Sequence, residues 1–186
     1  MALWGNTDAD EAKPKWLTTD EKDTTFATER GWVKLDGKGN EEVLCAIGEL
    51  STSVGGADIT RVAFVSTAFD KSDGGNIDVR VTFNEKVTVT GNPTLVITND
   101  QGGSGGGGSA ATLSAAYTSG SGTNRLVFRT TLAANAGAIA DGNNLTVGLQ
   151  TIALGGGTMK DTGTTTNSDR VIGSDVTLGS PLEVAA

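Results

Sequence analysis

The sequence predicts an all-β protein organised around an antiparallel β-sandwich, and three observations carry that expectation. First, Ile77, Val79, Val81 and Phe83 alternate with Asp78, Arg80 and Thr82. Period two gives a strand one buried and one wet face, whereas helical spacing would scatter the same side chains around a cylinder. Second, turn residues punctuate such stretches: Gly91-Asn92-Pro93 separates Val87 and Val89 from the next alternation at Leu95 and Ile97. Strand, corner, strand is how a sandwich begins. Third, the chain holds 27 Gly and only 5 % aromatics in 186 residues. Short strands of Val, Leu and Ile joined by many turns fit that composition.

Taken in order, the sandwich is expected over residues 56–186. Residues 59–66 read as its first strand and 75–83 as its second. The segments 87–89, 95–98, 111–117, 125–131 and 144–152 follow, with Met159 and then 171–178 completing the set. Ile77, Val79, Val81, Phe83, Leu95, Ile97, Leu126, Phe128, Leu145 and Val147 are expected to point inward. Residues 101–109, Gln-Gly-Gly-Ser-Gly-Gly-Gly-Gly-Ser, have no apolar anchor and the largest backbone freedom to lose, so they read as a mobile loop.

Residues 1–55 differ and read as an N-terminal arm. Thr18 and Glu21 have the spacing of a capping box, which opens a short helix expected over about 19–30 and stopped by Gly31. Thr24, Thr25 and Thr28 weaken that helix. A hairpin over 31–50 follows, turning at Asp36-Gly37. Trp4, Trp16, Leu17, Phe26 and Trp32 lie outside the sandwich pattern and are too few for a core of their own. They either fold back on the sandwich or pack on another chain. As partner-binding anchors they would be strong: an indole burying about 200 Å² at about 25 cal/mol/Å² contributes roughly 5 kcal/mol before ordering costs.

Composition also narrows function. The formal net charge is −8 and no basic stripe is visible, so nucleic acid is not an expected partner. The ordinary reading of the acidity is solubility. No apolar run approaches the roughly 18 residues of a membrane span, and no export signal is readable at the N-terminus. Synthesis in a cytosol is therefore expected. Histidine is absent and Cys45 is the single cysteine, set among Val43, Leu44, Ala46 and Ile47 as a small hydrophobe. The usual nucleophile–base pairs are thus missing, and the chain is expected not to be an enzyme and to need no cofactor.

Several oxygen-rich stretches deserve weighing. Asp70, Asp73, Asn76 and Asp78 cluster around glycines, as do Asp141, Asn143 and Asn144, with Asp161 a further case. Calcium needs several such hard oxygens, yet the EF-hand spacing is absent, so turns are the expected role and no metal is assigned. Glu85 and Lys86 read as a solvated turn pair. The glycines of 102–108 lack a following Gly-Lys-Ser/Thr and are not a phosphate cradle. Tyr117 and Trp32 could stack on a sugar, but packing in a core or interface is the expected use.

The segment 81–95, Val-Thr-Phe-Asn-Glu-Lys-Val-Thr-Val-Thr-Gly-Asn-Pro-Thr-Leu, resembles the strand-B to strand-C signature of bacterial Ig-like repeats of large surface adhesins. The pieces 116–124, 126–128, 141–145 and 156–161 keep the family order, and the likeness spans about residues 59–171. It implies an Ig-like antiparallel sandwich. Residues 1–6, 26–33 and 41–44 are similar to openings of virion proteins in contractile-tailed phages of marine cyanobacteria. Together the two likenesses imply a virion structural protein, a capsid decoration protein that docks through its N-terminal part and displays an Ig-like domain outward. Its implied location is the virion, its implied partners the major capsid or other virion proteins, with self-association on the particle. The alternative is a carbohydrate-binding or adhesive module of a tail, fibre or surface protein, with host-surface glycans as partners.

Overall fold

The computed structural model describes residues 13–28, 31–37, 41–46, 56–100 and 112–185. A single helical turn, α1 (Thr19–Lys22), leads into β1 (Thr25–Thr28), β2 (Gly31–Leu35) and β3 (Glu41–Ala46). These three strands make a small antiparallel sheet in the order β1-β2-β3. Then come β4 (Ile59–Phe64), β5 (Ala68–Asp70), β6 (Gly75–Thr90), β7 (Thr94–Asn99), β8 (Thr112–Ser119), β9 (Thr123–Leu132) and β10 (Asn144–Thr146). β11 (Gln150–Thr151), β12 (Thr158–Asp161), β13 (Val171–Ile172), β14 (Thr177–Leu178) and β15 (Leu182–Ala185) complete the chain. Ten of these strands are hydrogen-bonded in the path β14-β4-β6-β9-β8-β7-β10-β15-β5, with β12 added on β6. β11 and β13 form a separate pair. The protein is therefore all-β, and the long path curls to give the main core a sandwich-like interior.

β6 explains the curl. Its alternation continues past residue 83, so Ile77, Val79, Val81, Phe83, Val87 and Val89 are all buried. Between Thr82 and Val87 its pairing with β9 slips, because β9 advances only from Arg125 to Thr123 over the same interval. Such a bulge bends the strand and increases its twist. The first half of β6 pairs with β4 and β9, and its last four residues pair with β12. The expected separate strand over 87–89 is thus the continuation of its predecessor.

All ten residues expected to point inward do so. Val79, Val81, Phe83, Ile97, Leu126, Phe128 and Leu145 have no solvent exposure, and Ile77, Leu95 and Val147 have little. Three other expectations are corrected. The helix foreseen over 19–30 is one turn long, because the Thr24 and Thr25 hydroxyls both donate to the Glu21 carbonyl, at 2.9 and 2.8 Å. β-Branched hydroxyl residues compete for the acceptor in this way, and the chain turns into β1. The strands foreseen over 144–152 and 171–178 each break in two, at Gly148 and at Gly173 to Asp175. Antiparallel pairing is also not universal: β14 lies parallel to β4, and β15 parallel to β5. β5 and β15 were not foreseen, since three- and four-residue strands carry little alternation to read. Residues 101–109 lie outside the described residues.

Two glycines hold corners open. Gly91 sits at φ +71°, and a Cβ there would lie 2.8 Å from the Cα of Gly157. Gly120, in the turn from β8 to β9, sits at φ +105°, and a Cβ would collide with the Arg125 carbonyl oxygen.

Phe83→Ala is expected to lower unfolding free energy by about 3–5 kcal/mol in urea titration, while Val96→Ala, on the exposed face of β7, changes it by less than about 0.5 kcal/mol. Gly120→Ala should cost about 2 kcal/mol or more although it adds one methyl group, because both the left-handed backbone and the collision oppose it.

Candidate docking surface

The arm is built on α1. Thr18 accepts from the Glu21 backbone N–H through its hydroxyl at 3.3 Å, and the Glu21 carboxylate accepts in return from the Thr18 backbone N–H at 3.0 Å. This is the capping box expected from the sequence, complete on both sides. The same carboxylate takes the Lys34 ammonium of β2 at 2.9 Å. The Thr18 backbone bond first, and Lys34 with it, hold Glu21 down at about 2. At the other end of the turn, Lys13 is buried and its Nζ donates to the Lys22 carbonyl at 2.7 Å. A cation at a helix C-terminus satisfies an orphan carbonyl and complements the dipole.

The small sheet rests on β6. Phe26 of β1 is fully buried, with the Lys86 ammonium 4.8 Å from its ring centre. Asp23 pairs with Arg61 of β4 at 2.9 Å. Asn124, fully buried at the start of β9, sends its amide N–H groups to the Asp23 carbonyl at 3.4 Å and to the Phe83 carbonyl at 3.3 Å. That one side chain stitches the arm to the bulge of β6. Nearby, burial first and Arg80 second lower the Arg125 guanidinium from its ordinary value.

This geometry divides the five anchor residues. Leu17, Phe26 and Trp32 are buried by the chain itself, so they serve the first of the two roles foreseen for them, folding back on their own protein. Trp4 lies outside the described residues. Trp16 alone among the described members of the set is presented to solvent, 71 % exposed. Its neighbours fix its position: Leu17 is buried beside it, and the Leu17 N–H donates to the Pro14 carbonyl at 3.2 Å. Val43 of β3 is also exposed on the same small sheet.

The other candidate sites resolve into structural roles. Asp70 closes a turn, its Oδ1 accepting from the Ser72 N–H and hydroxyl and from the Asp73 N–H. Asp78 is held by Arg129 in a two-pronged pair at 2.6 and 2.7 Å. Asn143 is buried and accepts from Asn99 and from the Ala140 N–H. Among the described residues, no group of three or more carboxylate or thiol side chains is arranged to hold a metal ion. Tyr117 is half-buried, packs edge-on against Phe128 at 6.0 Å and accepts the Ser121 N–H, and Trp32 is buried, so both are engaged in packing. Asp161, expected in a turn, is only 4 % exposed, and Glu85, expected in a solvated turn pair, is half-buried in β6.

Arg61, Asp23 and Asn124 were missed by sequence reasoning. Asp23 caps α1, Arg61 lies within β4 and Asn124 near the start of β9, and only the fold brings the three together. No family model matches the chain, and neither a curated protein nor a solved structure matches it.

Phe26→Ala is expected to destabilise the arm by about 3–4 kcal/mol, read by tryptophan fluorescence during denaturation, and Trp16→Ala to leave stability within about 0.5 kcal/mol. Equal effects would mean that Trp16 is packed rather than presented.

Proposed function

We propose that this chain is a non-catalytic structural protein of a tailed-phage virion, a capsid decoration protein whose N-terminal arm docks on the particle and whose Ig-like sandwich faces outward. The observation that carries the reading is Trp16: a large aromatic side chain, exposed, on a turn braced by buried Leu17 and by the capped helix beside it. Interface hot spots are commonly aromatic residues held in place before binding, since little freedom remains to be lost. Among the described residues of the sandwich no aromatic side chain is comparably exposed: Tyr117 is half-buried and packs on Phe128, and Phe69, Phe83 and Phe128 are buried. The likenesses of residues 59–171 to adhesin-type Ig-like repeats and of the N-terminal segments to virion proteins supply the biological setting.

The test is co-sedimentation of the purified full chain with phage particles that lack it. Wild-type protein should pellet saturably, and Trp16→Ala should weaken the apparent Kd at least tenfold while melting at the same temperature. Failure of the wild-type protein to pellet, or equal binding by the variant, would reject docking through Trp16. Retention of the protein on host-surface glycans, without particle binding, would favour the adhesive reading instead.

A further inference from the structure

The sandwich begins under a clasp of carboxylates. Ala57 and Asp58, just before β4, are held on three sides. The Ala57 N–H donates to Asp161 Oδ1 at 2.6 Å, at the end of β12. The Ala57 carbonyl accepts from the Asp169 N–H at 2.8 Å. Asp58 exchanges two bonds with Asn84 in the bulge of β6: its N–H donates to Asn84 Oδ1 at 2.7 Å, and its carbonyl accepts the Asn84 N–H at 3.0 Å.

Acidic groups converge on this point from every element that holds it. Asp58 comes from the lead-in segment, Glu85 from β6, Asp161 from β12, Asp169 from the following loop and Asp175 from the turn before β14. Asp161 is 4 % exposed, and its second oxygen, Oδ2, is buried with no hydrogen-bond partner. The cations carried by the same elements include Arg61, which pairs with Asp23, Lys86, whose ammonium lies over Phe26, Lys160 of β12, and Arg170, which donates to the Ile152 carbonyl. A buried carboxylate oxygen without a donor leaves charge unsolvated, and a proton on it relieves that charge.

We propose that Asp58, Glu85 and Asp161 form a proton-operated latch that fastens the start of the sandwich to β6 and β12 when protonated and loosens it when all three ionise. With a proton on Oδ2, Asp161 still accepts from Ala57 through Oδ1, while the charge that Asp58 and Glu85 would oppose is gone. Ionised, the three repel one another in a partly dry site. The electrostatics agree with the geometry. Burial first, then Asp169, Asp161 and Asp175, push Asp58 up to about 6. Burial first, then Asp161 and Asp58, push Glu85 up to about 7; burial raises Asp161 and outweighs the Ala57 N–H bond, which favours its ionised form. Each group binds its proton more tightly folded than unfolded, so stability is lost as pH rises from the ordinary carboxylate range, near 4, through about 7.

The experiment is thermal unfolding of the full chain between about pH 5.5 and 8, with hydrogen exchange at residues 56–58 corrected for intrinsic rates. Wild-type Tm should fall by about 5 °C or more across that interval, and protection of the Ala57 and Asp58 amides should drop about tenfold. Glu85→Gln with Asp58→Asn should remove at least half of the fall in Tm. Should that double variant not fold, the wild-type Glu85 carboxyl is followed by carbon NMR, with a midpoint near 7 expected. A flat Tm profile, an unchanged slope in the variant, or a Glu85 midpoint near 4.5 would overturn the latch. So would restoration of the low-pH Tm at pH 8 by calcium and its reversal by a chelator, because a cation would then be the closing species.

Discussion

The bent strand β6 is the constraint on which the rest of the molecule depends. Alternation buries Ile77 to Phe83 and again Val87 and Val89, while the bulge after Thr82 redirects the backbone between them. A straight strand of that length would run out of partners. A bent one can serve β4 and β9 with one half and β12 with the other, so a single hydrogen-bonded path closes around one core. The four consecutive buried residues from Val81 to Asn84 mark the corner, where both faces of the strand are covered.

The same corner is where the arm settles. Phe83 carries the core, its carbonyl receives Asn124, and Asn84 receives Asp58. A distorted stretch of strand leaves backbone groups without ladder partners, and buried groups of that kind must be satisfied by something. Here the Asn124 amide donates to the Phe83 carbonyl, and the Asp58 carbonyl accepts the Asn84 N–H. The lead-in segment bonds directly to this backbone, and the arm reaches it through Asn124, which bridges the Asp23 and Phe83 carbonyls.

How much of this could be read beforehand follows from the range of the forces involved. Alternation is local, and it located the buried face of β6, β7 and β9 residue by residue. The capping box of Thr18 and Glu21 is also local, and its two bonds are present. The helix failed where Thr24 and Thr25 turned their hydroxyls onto Glu21, a competition that propensity scales only hint at. The anchors Leu17, Phe26 and Trp32 were legible as misfits of the sandwich pattern, but not their destination, because the partner face of β6 is set by tertiary packing. Glu85 and Asp161 looked like solvated turn residues, since a sequence shows charge and not the burial that decides its meaning.

The pairing of β15 with β10 and β5 has a consequence for how the protein is made. Leu182 and Val184 are each only 1 % exposed, and their strand fills the margin of a core whose other walls begin at residue 57. A ribosome delivers those residues after everything they must join. Until they emerge from the exit tunnel, the hydrophobic face beneath them stays wet and β5 has no neighbour along its open edge. Closure of the sandwich consequently waits for residues 182–185, and until they arrive the nascent protein carries an unfinished seam that invites pairing with other strands.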